Sequence, residues 1–104
     1  MIERDFRIVT IDKRNPNWDD DDQYMQFWLR NVEKYFNYIF ESRGMLCVND
    51  VRIKLGAKPV KEGYFYGWTE LPHDLFDVFR GEESIHVGIL GAHDFREDAC
   101  KNEG

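Results

Sequence analysis

The chain has 104 residues and a formal net charge of −6, with 42% hydrophobic, 15% aromatic and 33% charged residues. That length makes one domain around one core, and the aromatic share excludes a wholly disordered chain. No apolar run approaches the roughly 20 residues of a membrane span, residues 1–5 do not open into a signal-peptide stretch, and two cysteines, Cys47 and Cys100, make neither a disulfide framework nor a CxxC pair.

Residues 6–11 alternate apolar and polar at first and are rich in β-branched side chains, which predicts a strand with one buried face. Asn15-Pro16-Asn17 favours a turn. Asp19-Asp20-Asp21-Asp22 then places four carboxylates before a long apolar-periodic segment, where anions complement the positive end of a helix. Over residues 23–43, Met25, Trp28, Leu29, Val32, Phe36, Ile39 and Phe40 recur every three or four positions and form one helical stripe. Tyr24, Phe27, Tyr35 and Tyr38 form a second, adjacent aromatic stripe. This helix is therefore either wrapped on two sides or in contact with a partner. Gly44 stands where a left-handed residue commonly ends a helix.

Residues 45–48 read as a short buried strand, and Asn49-Asp50 offers a side-chain oxygen to cap a second, short helix that Gly56 ends. Lys61-Glu62-Gly63 is a turn, and residues 64–69 have strand propensity, with Gly67 marking a bulge or a close backbone approach. Over residues 71–80, Pro72 at a first helical position and Leu75, Phe76 and Phe79 at helical spacing predict a short helix or turn. Residues 85–90 close the series as a strand, which places the domain at residues 1–91 and an acidic, flexible tail at 92–104. The expected fold is α+β: one long amphipathic helix packed on a small, mainly antiparallel sheet, with one or two short helices.

The charge is unevenly spread. Residues 1–22 carry four basic and seven acidic groups, residues 23–63 seven and four, and residues 64–104 three and nine, so a basic middle lies between acidic ends. An acidic chain repels nucleic acid, so no direct nucleic-acid binding is expected; Lys54, Lys58 and Lys61 make the one stretch suited to it. No metal site is expected, because the spacings of His73, His86 and His93 match no zinc motif, and His86 reads as a half-buried or pairing side chain. Cys47, in an apolar run, reads as an inert core thiol. Gly63, Gly67 and Gly88 compose no phosphate-binding loop, and no cofactor or enzymatic activity is expected.

From residue 35 to residue 90 the order of features resembles a family of small, uncharacterised domains found in phages, prophages and other mobile elements of bacteria. The residues that carry the resemblance are 38–44 at the helix end, Leu46-Cys47-Val48-Asn49-Asp50-Val51 with Leu55-Gly56, then Gly63, Gly67-Trp68 and Ile85-His86-Val87-Gly88. Members read as a helix, a strand leading into Leu-Asn-Asp-Val, a short helix ending in Leu-Gly, and a Gly-Trp strand paired with a later Asp-Phe-Gly strand. Here His86-Val87 stands where Asp-Phe is usual, and residues 69–84 depart from the usual connection. The resemblance implies a mobile-element origin and an α+β fold, and carries no activity or site with it.

The run Asp19, Asp20, Asp21 and Asp22 has two readings: a solvated helix cap, or a phosphate-like face for a basic partner. In the second, Asp74, Asp77, Glu82 and Glu83 join it, and the chain is a non-catalytic accessory that binds a host protein with a basic surface in the bacterial cytoplasm, as a counter-defence inhibitor. The alternatives are a self-associating module, with Tyr24, Phe27, Tyr35 and Tyr38 in a homodimer seam, and a small-molecule binder with an aromatic pocket near Trp68. Trp18, Trp28, Trp68, Tyr64 and Tyr66 are expected in the core.

Overall fold

The periodic segment forms a 22-residue helix, α1 (Asp22–Arg43), which buries Met25, Leu29, Val32 and Phe36. At its start, the Asp21 carboxylate accepts the backbone N–H groups of Gln23 at 2.9 Å and Tyr24 at 3.5 Å. At its end, Gly44 takes the left-handed conformation (φ 78°) and donates its N–H to the Phe40 carbonyl at 2.7 Å. Both ends thus satisfy backbone groups that a helix leaves orphaned.

The computed structural model describes residues 6–96. Around α1 it places β1 (Ile8–Asp12), β2 (Leu46–Cys47), helix α2 (Val48–Lys54), a 3-10 turn (Glu62–Tyr64), β3 (Tyr66–Trp68), β4 (Phe76–Arg80), β5 (Ser84–Ile89) and β6 (His93–Asp94). The strands form two antiparallel three-stranded sheets, ordered β1-β5-β4 and β2-β3-β6. The α+β expectation holds, with two sheets where the sequence suggested one.

In the first sheet Val9 lies opposite Val87 and Ile11 opposite Ile85, and all four are buried on the inner face. The opposite face carries Thr10 and His86, joined Oγ1 to Nδ1 at 2.9 Å, with Phe79 on the far side of His86. In the second sheet Leu46 lies opposite Trp68, and Gly67 sits between Cys47 and His93. A Cβ at Gly67 would fall inside the contact distance of the Leu46 carbonyl oxygen, the Cys47 backbone and the Phe95 ring. This is the close backbone approach that a strand glycine marks. The inner faces of both sheets, α1 and α2 share one core that includes Leu46, Val48, Val51, Leu55, Trp68 and Leu75.

Three expectations are corrected. Residues 76–80 are a strand rather than part of a short helix or turn: Phe76 and Val78 alternate with Asp77 and Phe79, and a tight loop with Gly81 N–H on the Ser84 carbonyl (2.8 Å) pairs them with β5. The strand at residues 85–88 pairs with β1 and β4, so it is not the partner of Gly67-Trp68; β3 pairs instead with β2, at Trp68 and Gly67, and with β6 (His93–Asp94), at Gly67 and Tyr66. The segment assigned to a tail from residue 92 therefore enters the fold, since His93–Asp94 pairs with β3 and Phe95 donates its N–H to the Phe65 carbonyl at 2.8 Å. Residues 97–104, the rest of that tail, lie outside the described residues.

Capping of α2 also departs in detail. Asp50, at the third position of the helix, accepts the Cys47 N–H at 3.0 Å. Asn49 instead turns inward, with 1% exposure, and pairs with the Val60 backbone like a neighbouring strand: its Nδ2 donates to the Val60 carbonyl at 2.7 Å and its Oδ1 accepts the Val60 N–H at 3.0 Å. Replacing Asn49 by Ala strands both groups, and we expect a loss of about 2 kcal/mol in urea unfolding. Gly67→Ala forces β2 away from β3 and is expected to cost about 1–3 kcal/mol in the same assay.

Candidate functional site

Each carboxylate of the run has a local partner. Asp19 accepts the Asp21 N–H at 2.8 Å, Asp20 accepts the Trp18 indole N–H at 2.9 Å, and Asp21 caps the helix. Asp22 accepts from the Gln26 amide at 3.2 Å and pairs with Arg80 Nη1 at 2.5 Å. Asp19, Asp20 and Asp21 remain exposed, and a carboxylate offers about four acceptor positions, so these bonds fix the groups without using them up.

The Arg80 pair brings the end of β4 against the start of α1, so the loop Glu82-Glu83 stands beside the run. Asp12, opposite Ser84, lies at the same end; a side-chain hydrogen bond from Arg14 holds its carboxyl below the ordinary carboxylate value. Three segments distant in sequence thus place Asp12, the run, Glu82 and Glu83 at one end of the molecule, with Arg14 and Arg80 among them. Asp74 and Asp77 do not join this group. Asp74 precedes Leu75, whose N–H donates to Glu33 midway along α1 (3.3 Å), and Asp77 alternates with Phe76 and Val78, which turn toward α1.

The second aromatic stripe of α1 faces away from the core. Phe27 is 64% and Tyr38 69% exposed, and Tyr24 and Tyr35 are exposed on its flank. Lys54 of α2 lies over the Tyr35 ring, its Nζ 4.3 Å from the centroid. Of the aromatics expected in the core, Trp68 is fully buried, Trp18, Trp28 and Tyr66 pack partly against the core, and Tyr64 is exposed.

Trp68 lines no open pocket: its indole N–H is spent on the Leu90 carbonyl at 2.9 Å. An open cleft of about 340 Å³ lies instead between α1 and the β4-β5 hairpin, with Leu29, Phe76, Val78 and Ile85 on its floor and the Asp22–Arg80 pair on its rim. The helical reading of residues 71–80 hid this cleft, because it exists only when Phe76 and Val78 sit on a strand. In the basic middle, Arg52 is committed to the fold, donating to the carbonyls of Lys58 at 3.0 Å and Phe6 at 2.7 Å. Burial raises the Cys47 thiol above its usual value, which suits a packing role. Among the described residues no group of three or more His, Cys, Asp or Glu side chains is placed to hold a metal ion, and no helix is long and apolar enough to cross a membrane.

Comparison with protein-family models, with curated proteins and with solved structures finds no match.

The capping role of the run has a direct test. Asp21→Ala removes the side-chain acceptor at the start of α1, and we expect about 1 kcal/mol of destabilisation in thermal or urea unfolding, with Asp21→Asn restoring most of it.

Proposed function

We propose that this chain is a non-catalytic accessory protein of a phage or other mobile element, which binds a host protein through its acidic end and competes there with nucleic acid. What supports this reading is the convergence at the start of α1: the exposed carboxylates of Asp19, Asp20 and Asp21 stand beside the Glu82-Glu83 loop. The side-chain hydrogen bonds of Asp19, Asp20 and Asp21 hold these groups in place before a partner arrives, which lowers the ordering cost of association. A cluster of this sign steers a basic surface toward it and rejects acidic ones. The mobile-element setting follows the resemblance of residues 35–90, and a counter-defence role is the form of host binding that such a setting favours.

Capture of partners from bacterial lysate at ~50 and ~500 mM salt tests the reading, because salt screens exposed charge pairs far more than apolar contacts. A basic partner is expected at low salt and lost at high salt. The variant Asp19→Asn, Asp20→Asn, Glu82→Gln, Glu83→Gln keeps the hydrogen-bond acceptors and removes four charges, and is expected to bind that partner about tenfold more weakly at low salt. Affinity within twofold of the parent chain would overturn the electrostatic reading.

A further inference from the structure

The outer face of α1 holds a pattern that the acidic end does not use. Phe27 and Tyr38, at 64% and 69% exposure, lie on the side of the helix opposite Met25, Leu29, Val32 and Phe36, and no described element covers them. Between and beside them, at alternating three- and four-residue steps, stand Tyr24, Asn31, Lys34 and Glu41, all exposed. These six positions form a seam of the kind by which two helices pair.

We propose that the occupant of this face is a second copy of the chain, with the two α1 helices antiparallel and Phe27 of each against Tyr38 of the other. Three observations select this arrangement. First, the seam is complementary to its own reversal. Antiparallel helices meet in layers that join a residue near the start of one to a residue near the end of the other. The spacing that sets Phe27 against Tyr38 also sets Asn31 against Lys34 and Tyr24 against Glu41. The aromatics stack, the central layer is polar, and the Tyr24 hydroxyl meets a carboxylate acceptor. Second, charge favours the antiparallel sense. The start of α1 carries Asp19, Asp20, Asp21 and Asp22, whereas at its end Glu41 and Arg43 are of opposite sign and Arg43 is paired with Asp50 at 3.3 Å. A parallel pair would set the two acidic runs side by side; the antiparallel pair keeps them apart, and the helix dipoles agree. Third, the area suits a reversible dimer. At the exposures found, Tyr24, Phe27 and Tyr38 offer roughly 400 Å² per chain, about half of what one partner of a standard interface buries. The stems of Lys34 and Glu41 extend the contact. Dissociation is therefore expected on the order of tens of micromolar.

This proposal stands apart from the acidic-end reading and is tested without changing any acidic residue. Sedimentation of the full chain across ~5 to ~500 µM is expected to show a monomer–dimer equilibrium that survives ~500 mM salt. Phe27→Lys and Tyr38→Glu are each expected to weaken the dimer more than tenfold, and because both positions are exposed, circular dichroism should show an unchanged fold. An equal mixture of the two variants decides orientation. In the antiparallel pair the new lysine of one chain meets the new glutamate of the other while the parent Phe27 and Tyr38 still meet, so a mixed dimer is expected. In a parallel pair neither contact forms and the mixture stays monomeric. A parent chain that is monomeric at ~500 µM, or variants that dimerise like the parent, would overturn the proposal, as would a mixture without rescue.

Discussion

Burial of Met25, Leu29, Val32 and Phe36 is the constraint on which the rest of the molecule depends. Neither sheet can stand alone: one has strands of two and three residues, and the other exposes one face to water. Each needs an apolar surface to close against, and the inner stripe of α1 supplies it within a single core shared by both. Once that stripe is fixed, the orientation of every other residue on the helix follows from its 100° step. Phe27 and Tyr38 are therefore turned outward by the geometry that turns Leu29 and Phe36 inward.

The same helix explains why four adjacent carboxylates are tolerated. A row of like charges repels itself, and Asp21 alone would serve as a cap. The neighbours have separate tasks, with Asp19 ordering the turn before the cap, Asp20 holding the Trp18 indole and Asp22 pairing with Arg80. The last of these joins two elements distant in sequence. It lies at the mouth of the α1–β4 cleft, where the β4-β5 hairpin, held by its pairing with β1 and by Ile85, Val87 and Ile89 in the core, meets the start of α1. The acidic end is thus a consequence of how the hairpin is held, and the capping and binding readings of the run are compatible.

The sequence made α1 and its two caps legible, because periodicity over six turns, an Asp run and a terminal glycine all pointed the same way. Gly67 was legible for a similar reason: a glycine amid Tyr66 and Trp68 in a strand has few explanations other than close approach. Strand β4 was not legible. Leu75, Phe76 and Phe79 fit helical spacing as well as Phe76 and Val78 fit strand spacing, and only pairing with β5 decides between them, a contact that local pattern does not contain. Strand β6 was missed because two residues carry no period. The strand beside Tyr66-Gly67 is His93–Asp94, with Gly67 opposite His93, and not residues 85–88, which pair with β1 and β4. Asp74 and Asp77 were grouped with the acidic run on composition alone, and their separation reflects the direction in which β4 runs.

The two surfaces lie on one helix, and their placement has a consequence for binding strength. Each exposed ion pair at the acidic end is worth at most about 1 kcal/mol and weakens further with salt, so a single end makes a modest ligand. Antiparallel pairing about the middle of α1 places the two acidic ends at opposite poles, about 30 Å apart along the helix axis. Neither end then lies in the seam, and both stay open to solvent. A target that presents two basic surfaces at that spacing would meet both ends at once, with the second contact made at the high effective concentration that linkage provides. If both proposals hold, an apolar contact that resists salt would set the spacing and an electrostatic contact that salt weakens would supply the recognition.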